Sequence, residues 1–330
     1  MQAPHWVKFL RNTPLLKIGG VILIAAGILL SGSWEPFLKS LNVRQLVALL
    51  AVQPLILVGL FLQGVRHAVL IDRAGLSYLT ATKAVALSQG LNVILPARVS
   101  EVLKATYLRK RANVPLSAGI SAVVLERTVD LIIVGAMGFV CLFFFSAVIS
   151  KTLVFLVVVF VVILLSMSLW GGRSMRALTR ILPWPRISGF IEQAYLHFAA
   201  TLTRPAFFLG LGLGLLVWGG SFLNILLFLS IAGEVQVGVY GALLVFVCTT
   251  VGGAVPALPG GLGAYEAAAV FALMSLGYTF PDALALAVTI HAAQLSLPIA
   301  LALIIMLTDQ LGLTSLIAEL RASAGRSKGG

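Results

Sequence analysis

Six apolar segments, each long enough to cross a lipid bilayer, dominate this chain of 330 residues. A membrane helix needs about 20 apolar residues to span about 30 Å of hydrocarbon. Hydrophobic residues make up 60% of the sequence and charged residues only 10%, whereas soluble domains contain about 25% charged residues. The sequence therefore predicts an all-α, polytopic membrane helix bundle and excludes an ordinary soluble enzyme. We predict full crossings at about 15–31, 45–62, 128–149, 152–170, 206–231 and 283–307.

Two further apolar regions are interrupted, at 84–111 and at 240–277. The first is too short to cross before it reaches Pro96, and the second is broken by a run rich in Gly and Pro between Val251 and Gly263. Gly and Pro at this density end a helix. Non-helical backbone at membrane depth is tolerated only where protein or water surrounds it. We therefore expect two re-entrant, broken-helix hairpins.

Charge indicates how these regions are threaded. The chain carries 23 Lys and Arg against 11 Asp and Glu, a net charge of +12, and basic loops favour the cytoplasmic side. With both termini in the cytoplasm and two opposed hairpins, the basic loops 63–83, 98–111 and 171–205 lie inside. Only Lys39, Arg44 and Lys151 then lie outside. We expect a multi-pass protein of the plasma or inner membrane, with no nucleic-acid partner.

The organisation along the chain follows from this threading. We expect a single transmembrane domain over 1–330, and the paired interruptions favour an inverted repeat, an arrangement typical of transporters. The loop 171–205 has apolar residues at helical spacing and predicts either an amphipathic helix on anionic lipid or a plain basic loop that fixes topology. The tail 321–330 is polar, and we expect it to be disordered.

Charged residues inside the membrane are costly and are candidates for function. Glu126, Arg127 and Asp130 lie within an apolar stretch. At a separation of three residues Arg127 and Asp130 can pair on one helix face, which leaves Glu126 without a local partner. The group is interpreted as part of a substrate site, with a structural ion pair as the alternative.

A second candidate group surrounds the first interruption and comprises Asn92, Pro96, Arg98, Glu101 and Lys104. A helix that begins after Pro96 would place the charged residues near its N-terminus, where free N–H groups favour an anion. Arg adds a planar fork suited to phosphate. The alternative is a capped helix start with a snorkelling Arg.

A third group surrounds the second interruption. Its glycines would let backbone amides approach a ligand, with close helix packing as the alternative. The group comprises Pro259, Gly260, Gly261, Gly263 and Glu266. His291 lies on the last crossing, as a packing residue or a proton carrier. Candidates for proton coupling are Glu101, Asp130, Glu266 and His291.

The order of these groups resembles the membrane region of the lysylphosphatidylglycerol synthase and flippase-like family. That family is marked by an Asn, a Pro, a Gly-Glu pair, an Arg-x-x-Asp and a late run of Pro and Gly that ends in Glu. Here the Gly before Glu101 is replaced by Ser100. The resemblance implies translocation of lipids or lipid-linked precursors between leaflets, with aminoacylation left to a separate soluble domain. Because this chain has no room for that domain after its last crossing, we expect that it makes no aminoacyl lipid.

The function predicted from these observations is movement of an anionic phospholipid or polyprenyl-linked headgroup between leaflets, through a site between the two hairpins. We expect no cofactor, no metal and no catalysis, and membrane lipids as partners, with a separate lipid-modifying enzyme as a further partner. One alternative is an intramembrane lipid-modifying enzyme, which paired carboxylates and a His could support. The other is a non-transporting scaffold subunit of envelope assembly.

Overall fold

The computed structural model describes residues 41–73, 75–93, 95, 99–145, 198–202, 204–233, 235, 237–254 and 259–310, together with 39, 193 and 196. Helices are the dominant element across these residues and no strand occurs among them, which confirms the predicted all-α class. The predicted crossings at 15–31 and 152–170, most of the loop 171–205 and the tail 321–330 lie outside the described residues.

The first described crossing consists of two helices joined by a single turn residue, α1 (Val43–Ala51) and α2 (Gln53–Ile71). Asn42 caps α1, since its side chain accepts a hydrogen bond from Gln45 N at 3.1 Å. Pro54 has no N–H to donate to the preceding turn, which accounts for the interruption. Together the two helices form an apolar length of 29 residues.

This crossing continues further than the predicted span 45–62. The sequence placed Arg66 in a cytoplasmic loop, but α2 runs on to Ile71 and buries both Arg66 and His67. The physical reason is that nothing between Leu55 and Ile71 ends a helix, and both polar side chains find partners within the protein.

The first interruption separates α3 (Tyr78–Leu91) from α4 (Val99–Ala112). The charged side chains of α4 are placed favourably for its helix dipole, because Glu101 lies in its first turn and Arg109, Lys110 and Arg111 lie in its last. The next helix, α5 (Leu116–Phe145), has 30 residues and begins well before the predicted crossing at 128–149. Its first half therefore includes Glu126, Arg127 and Asp130.

The second half of the chain repeats the alternation of long and interrupted elements. Helix α6 (Pro205–Ala232) is followed by α7 (Gly238–Ala254), a 3-10 turn (Pro259–Gly261) and α8 (Ala264–Ser275), and then by α9 (Phe280–Thr308). Helices α6 and α9, like α1 and α2 taken together, are long and apolar enough to cross a membrane. Helices α7 and α8 are shorter and apolar, and they pack against each other.

The described residues fall into two compact units. Unit 1 holds those of 1–56, 89–99 and 221–300, and unit 2 holds those of 57–88, 100–220 and 301–330. In unit 2, helices approach closely at glycines. A Cβ on Gly64 of α2 would lie 2.5 Å from the Cα of Thr82 on α3, and one on Gly119 of α5 would lie 2.8 Å from the Cβ of Ala105 on α4. Small residues at crossings allow backbones to approach, as is usual in membranes.

Helices α7 and α8 of unit 1 also approach each other closely at a glycine. A Cβ on Gly252 would lie 2.6 Å from the carbonyl oxygen of Ala264 and 2.7 Å from the Cβ of Ala268. This contact brings the two arms of the second interruption side by side. Helix α7 is therefore held directly against the helix that carries Glu266.

Candidate functional site

Three helices of unit 2 bring a set of charged side chains together in the protein interior. Helix α2 supplies two of them, α4 two and α5 three. Because charge is expensive to bury, such groups are stable inside a protein only when they are paired. We call this set the ion network, and it consists of Arg66, His67, Glu101, Lys104, Glu126, Arg127 and Asp130.

Glu126 lies at the centre of the buried part of the network. Its Oε2 accepts a hydrogen bond from Lys104 Nζ at 2.6 Å, and its Oε1 lies 3.0 Å from Nδ1 of His67. Lys104 also lies 3.0 Å from Glu101 Oε2, one helical turn earlier on α4. Glu126 therefore receives from α2 and α4 the partners that its own helix does not provide.

Asp130 is the second anchor of the network. Its Oδ1 accepts hydrogen bonds from Arg66 Nη1 at 2.7 Å and from the indole N–H of Trp218 on α6 at 2.8 Å. The predicted pair with Arg127 is confirmed, with Arg127 Nη1 lying 3.3 Å from Asp130 Oδ2. A Cβ on Gly214 of α6 would lie 3.4 Å from Arg66 Nη1, so α6 approaches this pair closely because Gly214 has no side chain.

Arg127 differs from the other cations of the network in its exposure. Its side chain is 40% exposed, whereas those of Lys104 and Arg66 are 4% and 3% exposed. It also lies 3.3 Å from Glu101 Oε1, and both of its carboxylate partners have another cation, Lys104 for Glu101 and Arg66 for Asp130. Arg127 can therefore turn to an external anion without leaving any acid of the network unpaired.

In unit 1 the two interruptions of the chain meet. The backbone N–H of Gly260 donates to the carbonyl oxygen of Asn92 at 3.0 Å. Gly260, Gly261 and Gly263 have φ values of +71°, +73° and +82°, a region that residues with a Cβ occupy only at a cost. The turn that reaches Asn92 therefore favours glycine at these three positions.

Glu266 fixes the start of α8. Its Oε2 accepts a hydrogen bond from the N–H of Gly263 at 2.6 Å, which satisfies a donor at the helix N-terminus. Its Oε1 lies 2.7 Å from Nδ1 of His291 on α9, and the ring of Tyr265 stacks on His291 with centroids 4.0 Å apart. The predicted candidates Glu266 and His291 are therefore one buried pair.

The glycine-rich turn was expected to offer its amides to a ligand. Two of them already donate within the protein, Gly260 to Asn92 and Gly263 to Glu266. The turn therefore serves first to join the interruptions and to cap α8. Pro96 and Arg98 lie outside the described residues, whereas Pro259 begins the 3-10 turn.

Asp309, just beyond α9, is contacted by residues from both ends of the first interrupted region. Lys83 Nζ, near the start of α3, lies 3.2 Å from Oδ1, and Tyr107 donates its hydroxyl to Oδ2 at 2.6 Å. Arg111, at the end of α4, donates to the Asp309 carbonyl at 2.5 Å. The chain therefore enters α3 and leaves α4 at the same end of unit 2.

Sequence reasoning missed Arg66, His67 and Trp218. A signal for the first two was present in the spacing of α2. Gly64, His67 and Ile71 follow one another at intervals of three and four residues, which places them on one helix face, and all three are buried. Nothing in the sequence marks Trp218 as a partner of Asp130, since their contact joins residues far apart in the chain. Within the described ranges, no three His, Cys, Asp or Glu side chains are grouped as ligands for a metal ion.

Comparison with known families agrees with this arrangement of long and interrupted apolar helices. The family described as Lysylphosphatidylglycerol synthase TM region matches residues 17–302. The chain belongs to this family. The match to the lysylphosphatidylglycerol synthase TM region includes the whole ion network and both interruptions, and it identifies a multi-pass membrane protein related to lipid handling. No curated protein and no solved structure matches the chain.

Proposed function

We propose that this protein is a flippase-like transporter that moves an anionic phospholipid or lipid-linked headgroup between the leaflets of the membrane. The observation that carries the proposal is the hydrogen bond from Gly260 N to Asn92 O, which joins the two interrupted helices. Paired, interrupted helices in corresponding halves of a membrane chain are typical of transporter binding regions. Their non-helical backbone needs protein or water around it.

The proposed topology has two re-entrant hairpins that enter from opposite faces. For the first hairpin, support comes from Asp309, which contacts Lys83 of α3 and both Tyr107 and Arg111 of α4. Arg204 and Asp72 form an ion pair in the same unit. Such contacts connect segments that the charge distribution assigns to the cytoplasm. We assign this end to the cytoplasm, in a plasma or inner membrane, because it carries the basic loops.

Arg127 is the proposed contact for the headgroup phosphate. Its side chain is partly exposed although its Nε is buried, and its planar fork suits a phosphate better than a point charge does. Lys104 was expected to share this task, but it is buried between Glu126 and Glu101. We therefore assign Lys104 to holding the network together, and Glu101, whose side chain is 21% exposed, to positioning Arg127. A phosphate role for Arg98 stays a prediction.

The test is lipid transfer in reconstituted liposomes. Fluorescent phosphatidylglycerol is placed in both leaflets, and a membrane-impermeant quencher reports how fast the inner pool reaches the outer leaflet. Arg127→Ala should slow transfer about tenfold or more, the effect of losing one charge-assisted hydrogen bond. Glu101→Gln should also slow it, because Arg127 would no longer be held in position by the Glu101 carboxylate.

Arg204→Ala is the matched control, since it removes an exposed Arg from the ion pair with Asp72 and should transfer lipid at the wild-type rate. If Arg127→Ala and Glu101→Gln fold and transfer lipid as fast as wild type, the mechanism is wrong. The proposal also assigns no covalent turnover. Mass spectrometry of the recovered lipid should therefore show no new species, and a chemically altered lipid would favour an enzyme instead.

A further inference from the structure

His67 is the one member of the ion network whose residue type has an ordinary pKa close to neutral pH. It is fully buried, with 0% of its surface exposed. Its Nδ1 lies 3.0 Å from Glu126 Oε1. Because a carboxylate only accepts hydrogen bonds, Nδ1 carries the proton in the neutral ring. Nε2 is then an unprotonated nitrogen, and it has no hydrogen-bond partner among the residues that the structure describes.

The other charges of the network balance. Arg66, Lys104 and Arg127 supply three positive charges, and Glu101, Glu126 and Asp130 supply three negative ones. With a neutral His67 the network is uncharged as a whole. A phosphate that reaches Arg127 adds a negative charge to this balanced set, in surroundings where charges interact more strongly than in water.

The contacts provide a path by which that added charge reaches His67. A phosphate on Arg127 competes with Glu101, which lies 3.3 Å from Arg127 and 3.0 Å from Lys104. Glu101 then depends more on Lys104, and Lys104 is shared with Glu126 at 2.6 Å. As Lys104 moves its charge toward Glu101, Glu126 becomes a stronger partner for a positively charged His67.

The surroundings of His67 contain further ionisable groups, and each is already engaged. Helix α5 contributes Glu126 and Asp130, α4 contributes Lys104 and Glu101, and α2 itself contributes Arg66. Lys83 on α3 is paired with Asp309. Helix α6 has no ionisable side chain in Pro205–Ala232. His67 is therefore the group of this network that can take up a proton when an anion binds.

We propose that His67 binds a proton whenever an anionic headgroup binds at Arg127, so that headgroup binding and proton uptake are linked. This inference rests on the proposed function and deepens it by naming the coupled ion and its site. The proton comes from solvent and adds to Nε2, and no covalent bond to the lipid forms or breaks. Linkage makes lipid binding tighter as pH falls, by up to about tenfold per pH unit for one proton.

The experiment uses the purified full-length chain in dodecyl maltoside, with phosphatidylglycerol as the anionic probe and phosphatidylcholine as the probe of zero net charge. Native mass spectrometry measures bound lipid between pH 5.5 and 8. A pH-indicator dye in weakly buffered solution measures proton uptake at pH 7. We expect wild type to take up a proton with phosphatidylglycerol and none with phosphatidylcholine.

The deciding variant is His67→Asn, because its side-chain amide can replace Nδ1 as the donor to Glu126 but cannot bind a proton. It should bind phosphatidylglycerol with no proton uptake and with an affinity that is independent of pH. His67→Gln serves as a second variant if His67→Asn does not fold. Phosphatidylglycerol binding by wild type without proton uptake, or proton uptake retained in His67→Asn, overturns the linkage alone. Equal binding of the two lipids overturns the proposed anionic headgroup as well.

Discussion

Lys104 Nζ lies 2.6 Å from Glu126 Oε2, and both side chains are almost fully buried. A buried ion pair contributes little against an apolar pair of the same shape, but removing one partner leaves an uncompensated charge. Lys104 is the only full positive charge that the structure brings into direct contact with Glu126 among the described residues, since the other contact is His67. The stability of the ion network therefore depends strongly on Lys104.

We expect Lys104→Met to destabilise the protein by about 3–5 kcal/mol, because Glu126 would stay buried without the lysine that contacts it. Thermal melting of the detergent-purified protein measures this loss. Lys83→Met is the matched control, since Lys83 is 37% exposed in its pair with Asp309 and should cost about 1 kcal/mol or less. Adding Glu126→Gln to Lys104→Met should recover part of the loss. Equal melting of the two Lys variants would contradict this account.

Gly64 provides a test of helix packing in the first described crossing. A Cβ at this position would lie 2.2 Å from Thr82 Oγ1 and 2.5 Å from Thr82 Cα. Because the obstructing atoms include backbone, α2 and α3 would have to move apart. Gly64→Ala should therefore lower stability by about 1–3 kcal/mol, the usual cost of overpacking.

The matched control is Gly59→Ala on the same helix, where nothing lies within 4 Å of the added Cβ. Since Gly weakens a helix relative to Ala, this variant should be stabilised by up to about 1 kcal/mol. Opposite signs in the two melting shifts are the expected result. A similar shift for both variants would mean that helix propensity, rather than the α2–α3 contact, decides the outcome.

The sequence was sufficient to predict the all-α class, a helix interruption near Pro96, another between Val251 and Gly263, and the pair of Arg127 with Asp130. These features are local, since they follow from apolar length, from Pro and Gly, and from a helical spacing of three residues. The family was also recognised from the order of short motifs. All of these signals can be read without knowing which helices are neighbours.

The partners of Glu126 and Asp130 could not be predicted in that way. Lys104, His67, Arg66 and Trp218 reach them from three other helices. Which helix faces which is decided by tertiary packing at small residues such as Gly64 and Gly214, and a single sequence gives no pairing signal for that. The assignment of Arg66 to a loop was wrong for the same reason, because an Arg in an apolar helix looks like a helix end until its buried partner is known.

Gly261 tests whether the second interruption needs its close packing as well as its unusual backbone. Its φ is +73°, and a Cβ there would lie 3.2 Å from the Cα of Gly253 on α7. Gly75 has a φ of +83° and nothing within 4 Å, so it carries the backbone cost alone, about 1–2 kcal/mol. Gly261→Ala should therefore lower the melting temperature more than Gly75→Ala does.

Lipid transfer should separate these two variants further. Gly261 adjoins Gly260, whose N–H donates to Asn92, so a shift of the turn should disturb the junction of the two interruptions. We expect Gly261→Ala to slow transfer and Gly75→Ala to leave the rate near that of wild type. Wild-type transfer by a folded Gly261→Ala protein would argue that the junction has a purely structural role.

Asp309 gives the stability of unit 2 a dependence on pH. Burial alone would raise the pKa of this carboxyl. Hydrogen bonds from Tyr107 and Lys83 and the charge of Arg111 lower the pKa by more than burial raises it, so the pKa lies below its ordinary value of 3.8. A carboxyl with a lowered pKa in the folded state stabilises the protein above its unfolded pKa. This stabilisation is lost as pH falls from about 3.8 through the lower folded value.

Asp309→Asn should therefore destabilise the protein at pH 7 by about 1–3 kcal/mol, the cost of removing a hydrogen-bonded charge. The difference in melting temperature from wild type should shrink as the pH falls from 3.8 through the lower folded pKa, because Asp309 becomes neutral in the wild-type protein too once that value is passed. Tyr107→Phe removes one of the hydrogen bonds that lower the pKa of Asp309, so in this variant the loss of stability should be smaller and should be complete at a higher pH. A difference between wild type and Asp309→Asn that is the same at pH 7 and in strong acid would show that the carboxylate charge does not stabilise this end of unit 2.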